Sequence, residues 1–344
     1  MPQVSNVSTY QDGNVNQTQY KNKHGRHSLT IAVPFLIFLC TGIDAGAFEA
    51  IVTNERSGNV IHIDSQGSTI HLAAVCNRPR GMTKGLNDSH VIIACSDDDK
   101  VISYNRKTRS VETELKSVTG AMNVALHKQS GRLLVTNEGA SRASVYALET
   151  GQLVAELPTG LEPDGVAITD DGKLIFVASE NAGLVHVFDG LTYQPLDLIR
   201  TNLRPRRIAL LDEELWVSSE MGSRVEIFDT ATRLKKDEVI FAPKGFRPEQ
   251  MTPVDILFNP NRNEAYVALG GANHVAIVDT ETREIEKYIL VGRRAWGLGL
   301  SPDAQTLIVL NGLSDDFTMI DLETRRPQLT KRAGLVPHSI EVFK

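Results

Sequence analysis

Alternating apolar and polar positions recur from residue 49 to the end of the chain. The final stretch "VPHSIEVFK" places Ile340 and Val342 two residues apart, which is the period of a half-buried strand rather than that of a helix. A terminal strand without a partner would be prone to aggregation. The pattern therefore predicts an all-β chain in which an earlier segment pairs with residues 337–344.

A short motif that ends in an aliphatic residue or Met occurs seven times along the chain. Its copies are RPRGM, GAMNV, EPDGV, RPRRI, TPVDI, RAWGL and VPHSI. We call the second residue of each copy a repeat mark, and the marks are Pro79, Ala121, Pro163, Pro205, Pro253, Ala295 and Pro337. Successive marks lie 42, 42, 42, 48, 42 and 42 residues apart. This regularity indicates a repeat architecture with a single insertion.

Each repeat also carries further strand signals between its marks. An apolar run such as "LLVTNE" is followed by an alternating run such as "VEIFDT", and then by a weaker fourth run. The Asp that ends the alternating run is typical of a turn, because its side chain can accept a hydrogen bond from the backbone two residues later. Four strands in about 40 to 45 residues are typical of a propeller blade. The sequence thus predicts a seven-bladed β-propeller over residues 48–344.

The two ends of this domain complement each other. "EAIVTNE" begins the domain as a second strand without a first, and "PHSIEVFK" ends it as a first strand without a second. We therefore expect the C-terminal strand to pair inside the N-terminal blade and to close the ring, which removes an open edge.

Residues 1–47 have the features of a polar extension followed by a signal peptide. Lys21, Lys23 and Arg26 precede the apolar run of residues 29–40, and Ala45 and Ala47 form a small-x-small cleavage pattern. A spanning helix needs about 20 apolar residues, so a stable membrane anchor is not expected. The segment predicts cleavage after Ala47 and export to the periplasm. We expect the exported protein to be a monomer.

Composition and cysteine content restrict the chemistry further. The net charge is −6 and no long basic run occurs, so a nucleic-acid partner is not expected. Cys76 and Cys95 either pair in an oxidising compartment or are two small buried residues in neighbouring strands. The unpaired alternative is favoured, because nothing in the sequence fixes their geometry. Of the nine histidines, two lie in the targeting segment and the others stand singly, without a close pair at ligand spacing, so no metal site is predicted.

Several motifs resemble known families. "IVTN" and "LVTN", with the turns "SPD" and "VDTET", resemble the YVTN seven-bladed β-propellers. "ELWVSSE", "GFRPEQMTPV", "VALGGANHVAIVDT" and "VGRRAWGLGLSPD" resemble the exported propellers associated with PQQ-dependent alcohol catabolism. This resemblance covers residues 49–344. It implies PQQ as a ligand, and a periplasmic quinoprotein alcohol dehydrogenase or a transport component as a partner.

The residue after each mark is expected to lie at one mouth of the central channel. These residues are Arg80, Met122, Asp164, Arg206, Val254, Trp296 and His338. Arg207 and Arg294 flank them, and the ends of the second strands bring Glu55, Asp97, Glu138, Glu180 and Glu220 to the same place.

Two interpretations of this mouth remain open. Arg side chains bind carboxylates in a bidentate way and Trp offers a flat face, so the mouth suits a planar polycarboxylate such as PQQ. Alternatively, Arg80 and Arg206 pair with Asp164 and the glutamates as a structural network. The favoured function is non-catalytic binding, and no catalytic residue is predicted. The alternatives are lactone hydrolysis by the mouth residues and a purely protein-binding scaffold.

The insertion "FAPKGFRPEQMTPV" lies between the fourth and fifth marks. Phe246 and Arg247 either form a lid or docking loop, or belong to a longer loop of the kind that protein surfaces tolerate.

Overall fold

The computed structural model describes residues 47–344, which form 28 strands. The first fourteen strands are β1 (Glu49–Asn54), β2 (Asn59–Asp64), β3 (Thr69–Ala74), β4 (Pro79–Lys84), β5 (His90–Cys95), β6 (Lys100–Asn105), β7 (Ser110–Lys116), β8 (Ala121–His127), β9 (Arg132–Asn137), β10 (Arg142–Ala147), β11 (Gln152–Pro158), β12 (Pro163–Ile168), β13 (Leu174–Ser179) and β14 (Leu184–Asp189). The others are β15 (Pro195–Arg200), β16 (Pro205–Leu211), β17 (Glu214–Ser219), β18 (Arg224–Asp229), β19 (Lys235–Ile240), β20 (Pro253–Asn259), β21 (Glu264–Leu269), β22 (His274–Asp279), β23 (Ile285–Leu290), β24 (Ala295–Leu300), β25 (Thr306–Asn311), β26 (Asp316–Asp321), β27 (Arg326–Arg332) and β28 (Pro337–Phe343).

The strands form seven four-stranded antiparallel sheets, which are the blades of a β-propeller. Blade 1 has the order β28-β1-β2-β3, and blades 2 to 7 each use four consecutive strands, from β4–β7 to β24–β27. In blade 1, β28 pairs with β1, with Ala50 opposite Val342. The predicted propeller and its closure by the C-terminal strand are both confirmed.

Each pair of neighbouring blades encloses its own hydrophobic cluster. Between blades 5 and 6, for example, Trp216 and Ile227 pack with Ala265 and Val267. The cluster between blades 7 and 1 joins Phe317 to residues on β1, β2 and β28. The second strands, such as β13 and β17, bury both faces between neighbouring blades, whereas the outer strands, such as β15 and β27, are largely exposed.

The Asp residues that end the third strands form the predicted turns. The Asp189 carboxylate accepts the backbone N–H groups of Leu191 and Thr192 at 2.9 and 2.7 Å. Asp279 does the same two blades later. Because these hydrogen bonds favour the ionised carboxylate, they lower the pKa of Asp189 and Asp279.

Cys76 and Cys95 form a disulfide, so the expectation that they are unpaired is wrong. Their Cα atoms lie 5.9 Å apart. Cys76 lies in the connection between β3 and β4, and Cys95 is the last residue of β5. The disulfide therefore links the end of blade 1 to blade 2. The spacing of the two cysteines in the sequence does not by itself reveal this link.

The insertion packs against blades 5 and 6. The Ser223 hydroxyl donates to the carbonyl of Pro248, and the backbone N–H of Ala242 donates to the Tyr288 hydroxyl at 3.1 Å. Phe246 meets the His274 ring edge-on at 5.4 Å, whereas Arg247 is exposed. These contacts anchor the loop at its base, and the lid or docking role stays a prediction.

The predicted signal peptide lies in residues 1–47, and residues 1–46 are outside the described part of the chain. The signal peptide and its cleavage after Ala47 therefore stay predictions. Within residues 47–344, no helix has both the length and the apolar character needed to cross a bilayer.

Candidate functional site

The seven residues that follow the repeat marks form a ring, here called the mouth ring, at one end of the central channel. A register shift interrupts the pairing of each inner strand directly after its mark, as between Pro163 and Val166. Such a bulge leaves the next two residues unpaired and redirects their side chains. Six ring members are buried and Trp296 is half-buried. The ring side chains therefore fill the mouth instead of leaving an open funnel.

A second structural feature places more arginines beside the ring. The residue before every mark has a positive φ angle, and six of these seven residues are not glycine: Arg78, Glu162, Arg204, Thr252, Arg294 and Val336. A left-handed backbone costs about 1 kcal/mol or more for such residues, so the surrounding fold must hold it. Arg78, Arg204 and Arg294 are brought to the rim of the mouth in this way.

Arg206 is the centre of a buried ion-pair network. Its guanidinium lies 3.3 Å from Asp164 and 3.0 Å from both Glu180 and Glu220. Arg204 pairs with Glu180 at 2.6 Å. This part of the mouth agrees with the interpretation as a structural network, because three protein carboxylates surround the positive charge of Arg206.

Asp164 and Glu180 are adjacent carboxyl groups whose pKa values are shifted in opposite directions. Burial raises the pKa of Asp164, but the nearby guanidinium of Arg206 and its neighbours outweigh burial and bring that pKa well below its usual range. Burial, together with the negative charge of Asp164, raises the pKa of Glu180 to about 7. Two like charges this close disfavour each other's ionisation, so Glu180 is the group that holds a proton near neutral pH.

Trp296 lies among cations. The guanidinium carbons of Arg206 and Arg294 are 4.7 and 4.9 Å from its ring centroid, and the His338 ring lies at 5.7 Å. Arg294 also pairs with Glu220 at 2.7 Å. Burial, followed by the positive charge of Arg80, lowers the pKa of His338 well below its usual value, so this imidazole is neutral.

Arg80 differs from Arg206 because its charge is poorly satisfied. Its side chain is only 6 % exposed, and its nearest carboxylate, Glu55, lies at 3.9 Å, beyond hydrogen-bond distance. Glu55 is instead hydrogen-bonded to the Nε of Arg78 at 2.9 Å. The Nε of Arg80 has no hydrogen-bond partner. A buried donor without an acceptor is costly, which makes this guanidinium a candidate anion-binding group.

A cleft of about 560 Å³ opens beside Glu55 on the mouth side of blades 1 and 2. It is lined by Glu55, Arg56, Ser57, Gly58, Asn77, Arg78, Asp97 and Val336. The volume is in the range of small-molecule sites. We refer to it as the rim cleft.

Arg207 is not part of the mouth ring. One residue beyond Arg206, its side chain turns into the channel, where its Nε donates to the Asp255 carboxylate at 2.9 Å. The predicted site residues thus separate into three groups. Arg206, Asp164, Trp296, His338 and Arg294 come together, Arg80 lies towards the rim cleft, and Arg207 lies deeper in the channel.

Sequence reasoning missed several residues of these groups. Arg78 and Arg204 precede marks as Arg294 does, so their shared position in the repeat was an available signal. Asn123, two residues after its mark, donates to Asp164 at 3.2 Å. In residues 47–344, no group of three or more His, Cys, Asp or Glu side chains is arranged to hold a metal ion.

Comparisons with known proteins support the fold. Neither a family model nor a curated protein sequence matches the chain. Among solved structures, hydrazine synthase of Kuenenia stuttgartiensis is 17% identical, with a TM-score of 0.67 over 76% of this chain and 88% of that one. A candidate 6-phosphogluconolactonase of Bacteroides fragilis is 14% identical, with a TM-score of 0.72 over 87% and 99%.

A third neighbour is the dihydro-heme d1 dehydrogenase NirN. It is 11% identical, with a TM-score of 0.66 over 85% of this chain and 74% of that chain. Identities this low establish a shared propeller architecture, and the three functions differ from one another. The function of this chain must therefore be argued from its own site.

Proposed function

We propose that this protein is an exported accessory protein of PQQ-dependent alcohol catabolism, which binds a small polycarboxylate at the mouth of its propeller without transforming it. PQQ or a quinoid relative is the proposed ligand. The catabolic setting rests on the resemblance of the blade motifs to that group of exported propellers. A quinoprotein alcohol dehydrogenase or a transport component is the expected partner.

The observation that carries the binding proposal is the unsatisfied guanidinium of Arg80, whose nearest carboxylate, Glu55, lines the rim cleft. Arg206 already has three carboxylates around it, whereas Arg80 has an Nε without an acceptor and no carboxylate within hydrogen-bond distance. A ligand carboxylate that reaches past Glu55 would satisfy this donor. Charge-assisted hydrogen bonds of this kind contribute about 1.5 to 3 kcal/mol.

Calorimetric titration of the full chain with PQQ tests the proposal. We expect saturable binding that Arg80→Gln weakens by about tenfold or more, since that factor corresponds to about 1.4 kcal/mol. Lys116→Ala is the matched control, because it removes a cation whose side chain is 77% exposed on the outer strand β7.

Three outcomes distinguish the alternatives. Binding that Arg80→Gln leaves unchanged would place the ligand elsewhere. An absence of heat with a folded protein would reject PQQ, and a quinoprotein dehydrogenase would then be tested as a direct partner. Turnover of a lactone series that is lost in Glu180→Gln would favour the hydrolase alternative.

A further inference from the structure

Behind the mouth ring, the central channel contains a cavity of about 340 Å³. Its wall consists mainly of consecutive residues from β20, β24 and β28, and two residues of β4 with one each of β8 and β16 complete it. Leu257, Leu298, Leu300 and Val342 make much of this wall apolar. The cavity is separate from the rim cleft and shares no lining residue with it.

One layer of the channel is nearly free of charge. The residues four positions after each mark occupy equivalent places on the inner strands, and they are Thr83, Ala125, Ala167, Ala209, Leu257, Gly299 and Glu341. Six of the seven are small or aliphatic, and only Glu341 can ionise. An ionisable group in an otherwise apolar layer needs a reason, because an aliphatic residue would pack there at lower cost.

Arg207 supplies a cation to the same cavity. Asp255 accepts a hydrogen bond from its Nε, and the other oxygen of Asp255 accepts the backbone N–H of Leu298 at 2.9 Å, so both oxygens of this carboxylate are engaged. The terminal amino groups of Arg207 make no hydrogen bond to any residue in the described part of the chain, and the side chain is 21% exposed. They are therefore available to an acceptor that enters the cavity.

The charge balance of the cavity favours an anion once Glu341 is protonated. Four charged side chains line it, namely Lys84, Arg207, Asp255 and Glu341. With Glu341 ionised the sum is zero, and with Glu341 protonated it is +1. An anion that binds Arg207 therefore favours proton uptake by Glu341, and its apolar part can contact the leucines of the wall.

We propose that the central channel is a binding site for a short-chain aliphatic carboxylate, which is anchored by Arg207 and binds most tightly when Glu341 is protonated. The site does not depend on the proposed mouth ligand. It takes a monocarboxylate because the charges of the lining sum to +1 when Glu341 is protonated and much of the remaining wall is apolar.

The surroundings of Glu341 agree with this role. Burial raises the pKa of Glu341 to about 7, while Lys84 on β4 and Lys128 after β8 oppose the increase and Asp255 on β20 adds to it. The neighbouring strand β24 carries no titratable side chain between Ala295 and Leu300. On β1, Glu49 is engaged with His62 and Arg106. Glu341 is thus the group that changes charge near neutral pH in this cavity.

Calorimetric titration of the full chain with butanoate at pH 6 and pH 8 tests the proposal, with butylamine as the probe of opposite charge. A group with a pKa of about 7 is about 90 % protonated at pH 6 and about 10 % at pH 8, so butanoate should bind about tenfold more weakly at pH 8. Buffers of different ionisation enthalpy should show proton uptake on binding. Butylamine should not bind.

Two variants assign the roles. Glu341→Gln keeps a hydrogen-bond donor and cannot ionise, so its affinity at pH 8 should equal that at pH 6, without proton uptake. Arg207→Gln should abolish binding at both values of pH, and Arg207→Lys, which keeps the charge and the pair with Asp255, should retain weaker binding. Lys116→Ala should behave as the wild type.

Several results would overturn the proposal. It fails if a folded wild-type protein does not bind butanoate at either pH, or if butylamine binds instead. It also fails if Arg207→Gln binds as tightly as Arg207→Lys. A Glu341→Gln variant that keeps the pH dependence of the wild type would remove Glu341 from the site.

Discussion

The mouth ring is possible only because certain inner-strand residues lack a side chain. A Cβ atom on Gly165 would lie 2.2 Å from the backbone carbonyl oxygen of Arg206 on the next blade. Gly297 meets the carbonyl of His338 in the same way. Because the obstructing atoms belong to backbone, neither neighbour can move aside cheaply. Glycine at these positions lets adjacent inner strands approach closely enough for the ring side chains to touch.

We therefore expect Gly165→Ala to lower the free energy of unfolding by about 2 kcal/mol or more, through overpacking between blades 4 and 5. Gly139→Ala is the matched control, since nothing lies within 4 Å of its added Cβ and its φ angle is ordinary. The control should change stability by about 0.5 kcal/mol or less. Urea denaturation measures both. Equal stability of the two variants would show that the inner strands can separate at little cost.

At this scale the sequence predicts which residues gather but not how they pair. The repeat marks predict which residues form the ring, because each mark occupies the same place on an inner strand. They do not show that Arg206 meets three carboxylates while Arg80 meets none within hydrogen-bond distance. These carboxylates lie on the same blade as the arginine or on the adjacent one, and the contacts depend on side-chain packing that the repeat spacing does not specify. The same alignment could have singled out Glu341, which lies four residues after the last mark.

At the level of elements, the inner strand β28 belongs to the first blade although it ends the chain. It pairs with β1 and contributes Ile340 and Val342 to the cluster between blades 7 and 1. It also carries His338 of the mouth ring and Glu341 of the channel. Closure, the mouth and the channel cavity thus depend on one strand.

Deletion of residues 337–344 should remove the cooperative thermal transition of the whole domain, because blade 1 loses its inner strand and β1 becomes an open edge. Deletion of Lys344 alone, which is exposed, should leave the transition unchanged. Circular dichroism melts of both proteins provide the measurement. A truncated protein with a sharp transition near the wild-type temperature would show that the ring is stable without this closure.

The strands themselves were predictable because their hydrophobic period, turn residues and 42-residue spacing agree with one another. The disulfide was not, because Cys76 and Cys95 belong to different blades and their approach depends on the connection between β3 and β4. The bulges after the marks were also hidden. A bulge leaves the apolar alternation on either side intact, so it becomes visible only in the pairing register.

For the molecule as a whole, the channel is a place where stability depends on a few buried ionisable groups. Glu180 and Glu341 both have a pKa raised to about 7, one at the mouth and one in the cavity. Their side chains bind a proton more tightly in the folded than in the unfolded state. Each therefore lowers stability as the pH rises from the unfolded pKa to about 7, and the loss levels off above that pH. Neutral His338 acts in the opposite direction, because its lowered pKa destabilises the fold as the pH falls below its ordinary value.

Comparison of Glu341→Gln with the wild type isolates one of these opposing effects, because His338 is common to both proteins. The amide cannot ionise, so the variant avoids the cost of a buried carboxylate. We expect it to be more stable than the wild type by about 3 kcal/mol at pH 8, because folding raises the pKa of Glu341 to about 7 and each unit of pKa shift is worth about 1.4 kcal/mol. At pH 4.5 the difference should fall to about 0.5 kcal/mol or less, since Glu341 is then protonated in the folded state.

Glu149→Gln, at an exposed site, is the control and should show no such change between the two values of pH. Urea denaturation across this range measures the difference. A difference between variant and wild type that stays constant from pH 4.5 to pH 8 would mean that folding does not raise the pKa of Glu341.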